Sequence, residues 1–242
     1  TSYGFEGKPI IINEIHEEYR KVIMSSMRGY SAKTKSILSN YNRFLTVGYS
    51  DHNGGLMRIS PLTFIRFKTS EALRTEIANA NYCTHGGSKD VIDTDHVFIL
   101  LLNALIHDRL VTVDKVYEYV LNLAVELRNS TLFSLVKLIS TLSYTKGENI
   151  TKSIFGFDMF QIKAIHCFIC ALYCFTIHFD DPVNSIITAA NIGNDSDTIA
   201  KITCELIGAR FGHDWIPIEW QNHEGRDELI YLSRQFAKLY SR

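Results

Sequence analysis

Asn191-Ile192-Gly193-Asn194-Asp195-Ser196-Asp197-Thr198 runs directly into an apolar stretch, Ile199 to Phe211. Ile199, Ile202, Leu206, Ala209 and Phe211 recur at helical spacing, and Gly212 supplies a stop. Asp195, Asp197 and Thr198 therefore place three hard oxygen donors at the mouth of a helix. Oxygen sets of this kind suit Mg²⁺, Mn²⁺ and Ca²⁺. Asp, Ser and Thr are also the favoured N-cap residues, and negative charge at a helix start stabilises it. One cap would be enough, whereas two carboxylates so close repel unless a cation or hydrogen bonds offset the repulsion. The residues alone leave both readings open.

Outward from this point the chain reads as helix nearly throughout. Amphipathic or apolar periodicity marks Ile15–Met27, Ala32–Leu45, Glu71–Tyr82, Val91–His107, Val113–Arg128 and Leu132–Leu142. It returns over Met159–Phe179 and Glu228–Tyr240. Ser70 is the expected N-cap of the third of these, and Pro217 the first turn of a short helix near Glu219. Gly48–Gly55 is a turn-rich loop, and Ser143–Ser153 the most polar connection. Asp93-Thr94-Asp95-His96 repeats the acidic pattern inside a helix, where capping and exposure to solvent are the expected explanation. No alternating strand pattern, fixed repeat or Pro/Gly linker divides the 242 residues, so one all-α domain over 1–242 is expected.

Composition excludes several classes. A formal net charge of −1 leaves no electrostatic footprint for nucleic acid. Met159–Phe179 has the length to span a bilayer, but Gln161, Lys163, His166 and His178 interrupt it, which favours a buried core helix and no membrane partner. Thr1–Lys8 carries no basic-then-apolar signal pattern. Of the five cysteines, Cys167, Cys170 and Cys174 share one face of that core helix. An odd count so arranged suggests a reducing, cytoplasmic setting and packing rather than a disulfide framework or thiolate site.

The 191–198 stretch, Gly208-Ala209-Arg210-Phe211-Gly212 and Ile216-Pro217-Ile218-Glu219-Trp220 together resemble the C-terminal signature of the ADP-ribosylglycohydrolase family. His52-Asn53-Gly54-Gly55-Leu56-Met57-Arg58-Ile59-Ser60-Pro61 is similar to that family's Asn-Gly loop, and Thr84-His85 to its Thr-His element. Arg28-Gly29-Tyr30 and Ala171-Leu172-Tyr173 fall where the family has comparable short elements. Asn194 and His52 stand where the family pattern has glycine.

The resemblance implies a compact, single-domain orthogonal helical bundle with two Mg²⁺ or Mn²⁺ ions at the base of a cleft. It implies a metal-dependent hydrolase that cleaves ADP-ribose from a modified acceptor, either an ADP-ribosylated protein or a small conjugate. Asp195, Asp197 and Thr198 would be metal ligands. Asn53, Gly54, Gly55 and His85 would bind substrate, the glycines letting backbone N–H groups approach a diphosphate. Met57 and Arg58 are expected to be structural, Met57 by packing and Arg58 by pairing with a carboxylate or carbonyl. The family's Gly-Asp-x-x-Gly and Thr-Asp-Asp segments are not in this sequence, so no catalytic acid is identified in it; the expectation is that it lies in an N-terminal portion absent here. The sequence is thus read as a fragment or as a natural short form, and a catalytically inactive ADP-ribose-binding or structural relative is the alternative. Oligomeric state, the acceptor linkage and the choice between Mg²⁺ and Mn²⁺ are not legible.

Overall fold

The computed structural model describes Glu14, residues 17–21, residues 35–36 and residues 49–240. The expected helices over 15–27 and 32–45, and the Arg28-Gly29-Tyr30 element, lie outside the described residues apart from short helical pieces at 17–21 and 35–36. A 3₁₀ turn, Ser60–Phe64, carries Pro61 in its first positions. Then come α1 (Ser70–His85), α2 (Lys89–Ile106), α3 (Val113–Glu126), α4 (Ser130–Ile139) and α5 (Ile150–Phe155). They are followed by α6 (Ala164–Ile177), α7 (Pro182–Ala190), α8 (Ser196–Phe211), a 3₁₀ turn at Ile218–Trp220, and α9 (Arg226–Tyr240). The architecture is all-α, and among the described residues strand-like pairing is limited to an isolated antiparallel bridge between His52 and Lys163.

Local chemistry sets the helix starts. Thr112, Asn129, Asn149 and Asp181 each accept a backbone N–H of the turn that follows. Helix α1 is capped by Thr69 and not by Ser70 as expected, because Thr69 has the extended conformation and accepts from Ala72 N. Ser70 Oγ instead meets His96 Nε2 at 3.1 Å. The apolar stretch expected as one helix over Met159–Phe179 is helical only over Ala164–Ile177. Residues 159–163 are non-helical, with Lys163 extended, and are held by the 50–53 loop: Asn53 N donates to Ile162 O at 2.7 Å and Ala164 N to Asp51 O at 2.9 Å. Pairing with another segment outweighs local helical propensity here.

Helices α2, α6 and α8 pack on one another at the centre, with α7 against α6 and α8, and α4 against α6. Helix α6 is covered on every side from Cys167 to Phe175, which explains its lack of a polar face. Cys167, Cys170 and Cys174 are buried in this core, where burial pushes their thiols up and leaves them inert packing groups. Among the described residues, no helix is long and apolar enough to cross a membrane.

The Asp93–His96 run contradicts the expectation of solvent exposure. All four residues are buried. Helix α2 is enclosed, so its polar side chains find partners on neighbouring elements: Asp93 accepts from Arg74 Nη2 at 2.5 Å, from Asn129 Nδ2 at 2.9 Å and from Lys89. Asp95 Oδ2 accepts from Asn81 Nδ2 at 2.7 Å. Burial pushes the Asp95 carboxyl from 3.8 up to about 7, against the opposing pull of Asn81, Arg58 and Lys201. A carboxyl raised in the folded state favours folding while it keeps its proton, and that contribution is lost as pH rises through the folded value. Wild-type stability should therefore fall relative to an Asp95→Asn variant between about pH 4 and pH 7, by at most about 4 kcal/mol. Denaturant melts of both proteins across that range measure the difference, and parallel curves would contradict it.

Candidate functional site

The loop from Ser50 to Arg58 is docked on two sides. Its first half follows residues 161–164, and its second half leans on the C-terminal turn of α1. Asn53 is buried at the junction. Its side-chain Nδ2 donates to Gln161 O at 3.2 Å and to Asp195 Oδ2 at 2.5 Å, joining the loop to the start of α8 across 142 residues of sequence.

Asp195 occupies the N-cap position of α8, yet its carboxylate caps nothing in the helix backbone. Oδ1 accepts from Thr198 Oγ1 at 3.1 Å, Oδ2 from Asn53, and the residue's own N–H donates to Gln161 Oε1 at 3.2 Å. Gln161 is fixed in turn by donating Nε2 to Thr151 Oγ1 at 2.5 Å. Asp197, two residues further and exposed, accepts the backbone N–H of Thr198 at 2.9 Å. Of the two readings open from sequence, a simple cap does not describe Asp195. A carboxylate oxygen has two acceptor sites, so each Asp195 oxygen retains one beyond the bond it already accepts. Burial raises the Asp195 carboxyl above the ordinary range and the neighbouring Asp197 charge adds to this, while Asn53 and Thr198 oppose it. Two carboxylates and a hydroxyl at one helix start, with anionic charge only partly offset, fit a hard divalent cation. Among the described residues no group of three or more His, Cys, Asp or Glu side chains converges as a metal site.

Asn194 has φ 57 and Gly193 φ 87, so the turn into α8 is left-handed at two successive residues. Asparagine is the side chain that tolerates this region best, which accounts for its standing where the family pattern has glycine. Its Nδ2 donates to Asp158 Oδ1 at 2.9 Å.

On the other side of the loop, His85 is buried at the end of α1. A Cβ added at Gly54 would lie 3.2 Å from His85 Cε1, so ring and loop backbone are in close approach. A Cβ at Gly55 would lie 2.5 Å from Asn81 Oδ1 and 2.8 Å from Val91 Cγ1. Arg58 meets the expectation of a carbonyl partner, donating Nη1 to Gly54 O at 2.5 Å. Met57 does not meet the expectation of packing: it is 43% exposed, with its sulfur 3.8 Å from Thr198 Oγ1. It sits beside the helix start rather than in the core.

The structure thus brings Asn53 onto Asp195, which in turn meets Thr198, and Gly54 close to His85, with Asp197 exposed on α8. Sequence reading missed Gln161, Asn81 and Thr151. The signal for Gln161 was present, as a polar residue interrupting an apolar run. Asn81 gave none, as an ordinary polar residue on an amphipathic helix, and Thr151 gave none because Ser143–Ser153 reads as a polar connection, whereas Ile150–Phe155 is helical.

The family model described as ADP-ribosylglycohydrolase matches residues 4–242. The chain belongs to the ADP-ribosylglycohydrolase family. Over 78 residues it is 36% identical to ADP-ribosylhydrolase ARH3 of Danio rerio, a stretch covering 29% of this chain and 21% of that protein. Over 123 residues it is 27% identical to ADP-ribosylhydrolase ARH3 of Homo sapiens, covering 47% of this chain and 33% of that one. The matched stretches therefore span a fifth to a third of these relatives. A solved structure of an ADP-ribosylglycohydrolase-related protein complex superposes with a TM-score of 0.68 at 18% identity, over 96% of this chain and 75% of that chain. At that identity the likeness is one of fold.

Proposed function

We propose that this protein is a divalent-metal-dependent hydrolase that removes ADP-ribose from a modified acceptor, an ADP-ribosylated protein or a small ADP-ribose conjugate, with residues 1–242 acting as one domain. The observation that carries this reading is the Asn53–Asp195 hydrogen bond, which ties a glycine loop to an acidic helix start. A ligand lying on the loop backbone would have one end beside Asp195 and Thr198. The family is generally metal-dependent, and ADP-ribose combines what the two halves favour, a diphosphate and a ribose.

In this reading Gly54 and Gly55 let the backbone approach the diphosphate, and His85 lines the same region. Asn53 orients the Asp195 carboxylate, leaving one acceptor site on each of its oxygens. Asp195, Asp197 and Thr198 would hold Mg²⁺ or Mn²⁺, one or both of two ions. A divalent ion so held supplies a polarised water and stabilises charge developing at the leaving oxygen. The buried Gln161 side chain locks the backbone of Asp195 and so fixes where that carboxylate points.

The test is release of ADP-ribose from a modified protein by the complete natural protein, with Mg²⁺, with EDTA, and with Mg²⁺ restored. The account expects release that stops with EDTA and returns with the ion. The second reading, a binding relative without turnover, is favoured by one feature: both Asp195 oxygens accept hydrogen bonds, from Asn53 and from Thr198. A thermal shift with ADP-ribose and no release under any metal condition would establish that reading in place of the first.

A further inference from the structure

The floor of the Gly54–Gly55 loop is an acid. A Cβ built on Gly55 would lie 3.0 Å from Asp95 Oδ2, so no side chain separates the loop backbone from this carboxyl. Asp95 is wholly enclosed. Its Oδ2 accepts from Asn81 Nδ2 at 2.7 Å, and its Oδ1 has no hydrogen-bond partner among the described residues. Asn81 is fixed in that orientation, because its two amide protons go to Ile77 O at 3.1 Å and to Asp95 Oδ2. An N–H donated to Oδ2 leaves Oδ1 as the place for a proton on the acid. An enclosed carboxylate with one oxygen unpartnered is costly, and the neutral form is favoured by the same burial.

Among the described residues, the charges acting on Asp95 come from Arg58 on the loop and Lys201 on α8, both of which favour ionisation. The Tyr19 hydroxyl lies near enough to feel Asp95 and is itself held above its ordinary value, so it stays neutral near pH 7. Helix α1 presents the Asn81 amide. Burial outweighs these neighbours and places the titration at about 7. We propose that Asp95 is a positioning residue of the Gly54–Gly55 loop whose proton sets the affinity of that loop for an anion: neutral, it admits a diphosphate, and ionised, it opposes one. The identity of the ligand rests on the proposed function, whereas the contact of the acid with the loop rests on the geometry alone. Ionised Asp95 puts a negative charge directly behind the backbone on which the diphosphate would lie. Neutral Asp95 leaves the Arg58 guanidinium, bonded to Gly54 O, to act on the ligand without an opposing anion. ADP-ribose has no terminal phosphate, so the ligand itself does not titrate near neutrality.

Linkage is reciprocal, so a bound anion must in turn raise the affinity of Asp95 for its proton. The test is calorimetric titration of ADP-ribose into the complete natural protein and its Asp95→Asn variant, at constant Mg²⁺ and in two buffers of different protonation enthalpy. If the ionised acid costs tenfold in affinity, wild-type affinity falls roughly fivefold from pH 6 to pH 8, and roughly 0.4 proton is taken up at pH 7. Asp95→Asn should show neither beyond what His85, present in both proteins, contributes. A merely structural role would change affinity without moving proton uptake. The loop is followed separately, without ligand, through the amide signal of Gly55 between pH 5 and pH 9. It should move with a midpoint near 7 in the wild type, and that step should be missing from Asp95→Asn. Equal proton uptake by the two proteins overturns the proposal and leaves the hydrolase reading intact, and so does a Gly55 signal that titrates alike in both. If Gly55 follows Asp95 but ADP-ribose binds neither protein, the hydrolase reading fails and the link from Asp95 to the loop stands.

Discussion

Replacing Asp195 with Asn is expected to lower metal-dependent ADP-ribose release by ~100-fold or more while leaving the protein folded. The carboxylate touches both the loop, through Asn53 Nδ2, and the helix start, through Thr198 Oγ1. An amide at this position keeps one acceptor but turns an NH₂ towards Asn53 Nδ2 or Thr198, and removes the charge a divalent ion needs. Losing even an outer hydrogen-bonding partner of a metal site typically costs ~10–100-fold in affinity or activity, so loss of a ligand should cost at least the upper figure. Stability should move the other way. Burial raises this carboxyl, so its ionisation opposes folding as pH rises through the folded value, and an uncharged Asn is spared that loss. Without metal, the Asn variant should melt at or above the wild type at pH 8. With Mn²⁺ only the wild type should gain stability. Equal metal-induced shifts in the two proteins would show that Asp195 is not a ligand.

Gly55→Ala carries the second large effect, through packing rather than charge. The added methyl would meet Asn81 Oδ1 at 2.5 Å, Val91 Cγ1 at 2.8 Å and Asp95 Oδ2 at 3.0 Å, all on helices enclosed by the core. None of these atoms is the free end of a flexible surface chain, so the loop must lift or the Asn81–Asp95 bond must break. Overpacking of a core typically costs ~1–3 kcal/mol, and disruption of a buried polar pair adds to it. A loss of about 2–4 kcal/mol is expected, seen as a fall of ~4–16 °C in Tm for a chain of this size. Gly54→Ala is the control. Its methyl would press only on the His85 ring at 3.2 Å and the Arg58 guanidinium at 3.7 Å, so it should cost little stability and act mainly on ligand binding. Equal melting of both variants would mean that the loop does not sit on α1 and α2 as described.

The fold was legible where the pattern was long and one-sided. Helices α2, α3, α4 and α8 follow the apolar periodicity closely, because each buries a face, or all of its surface, in the core. The reading broke where partners lay far away in sequence. Met159–Lys163 has helical composition and is not helical, since the Gln161 and Ile162 carbonyls and the Ala164 N–H that follows serve the 50–53 loop. Asp93 and Asp95 were read as exposed because acidic residues seldom sit in a core; the partners that make burial tolerable, Arg74, Asn129 and Asn81, come from other helices and leave no local trace. In the candidate site, Asp195, Asp197 and Thr198 stood out by spacing and Gly54–Gly55 by composition. Their convergence with Asn53 could be reached only through the family resemblance. Gln161, which holds the two halves together, was visible only as an anomaly in an apolar run.

The central claim is that the acidic start of α8 and the Asn53 loop form one site for a divalent ion beside ADP-ribose. Crystals of the complete natural protein grown with Mn²⁺ and ADP-ribose, measured at an energy where Mn²⁺ scatters anomalously, test it most directly. The account predicts an anomalous peak within coordination distance of Asp195 and Asp197, with the diphosphate along Gly54–Gly55. Bound ADP-ribose with no peak beside these aspartates, or a nucleotide seated elsewhere on the protein, would contradict it.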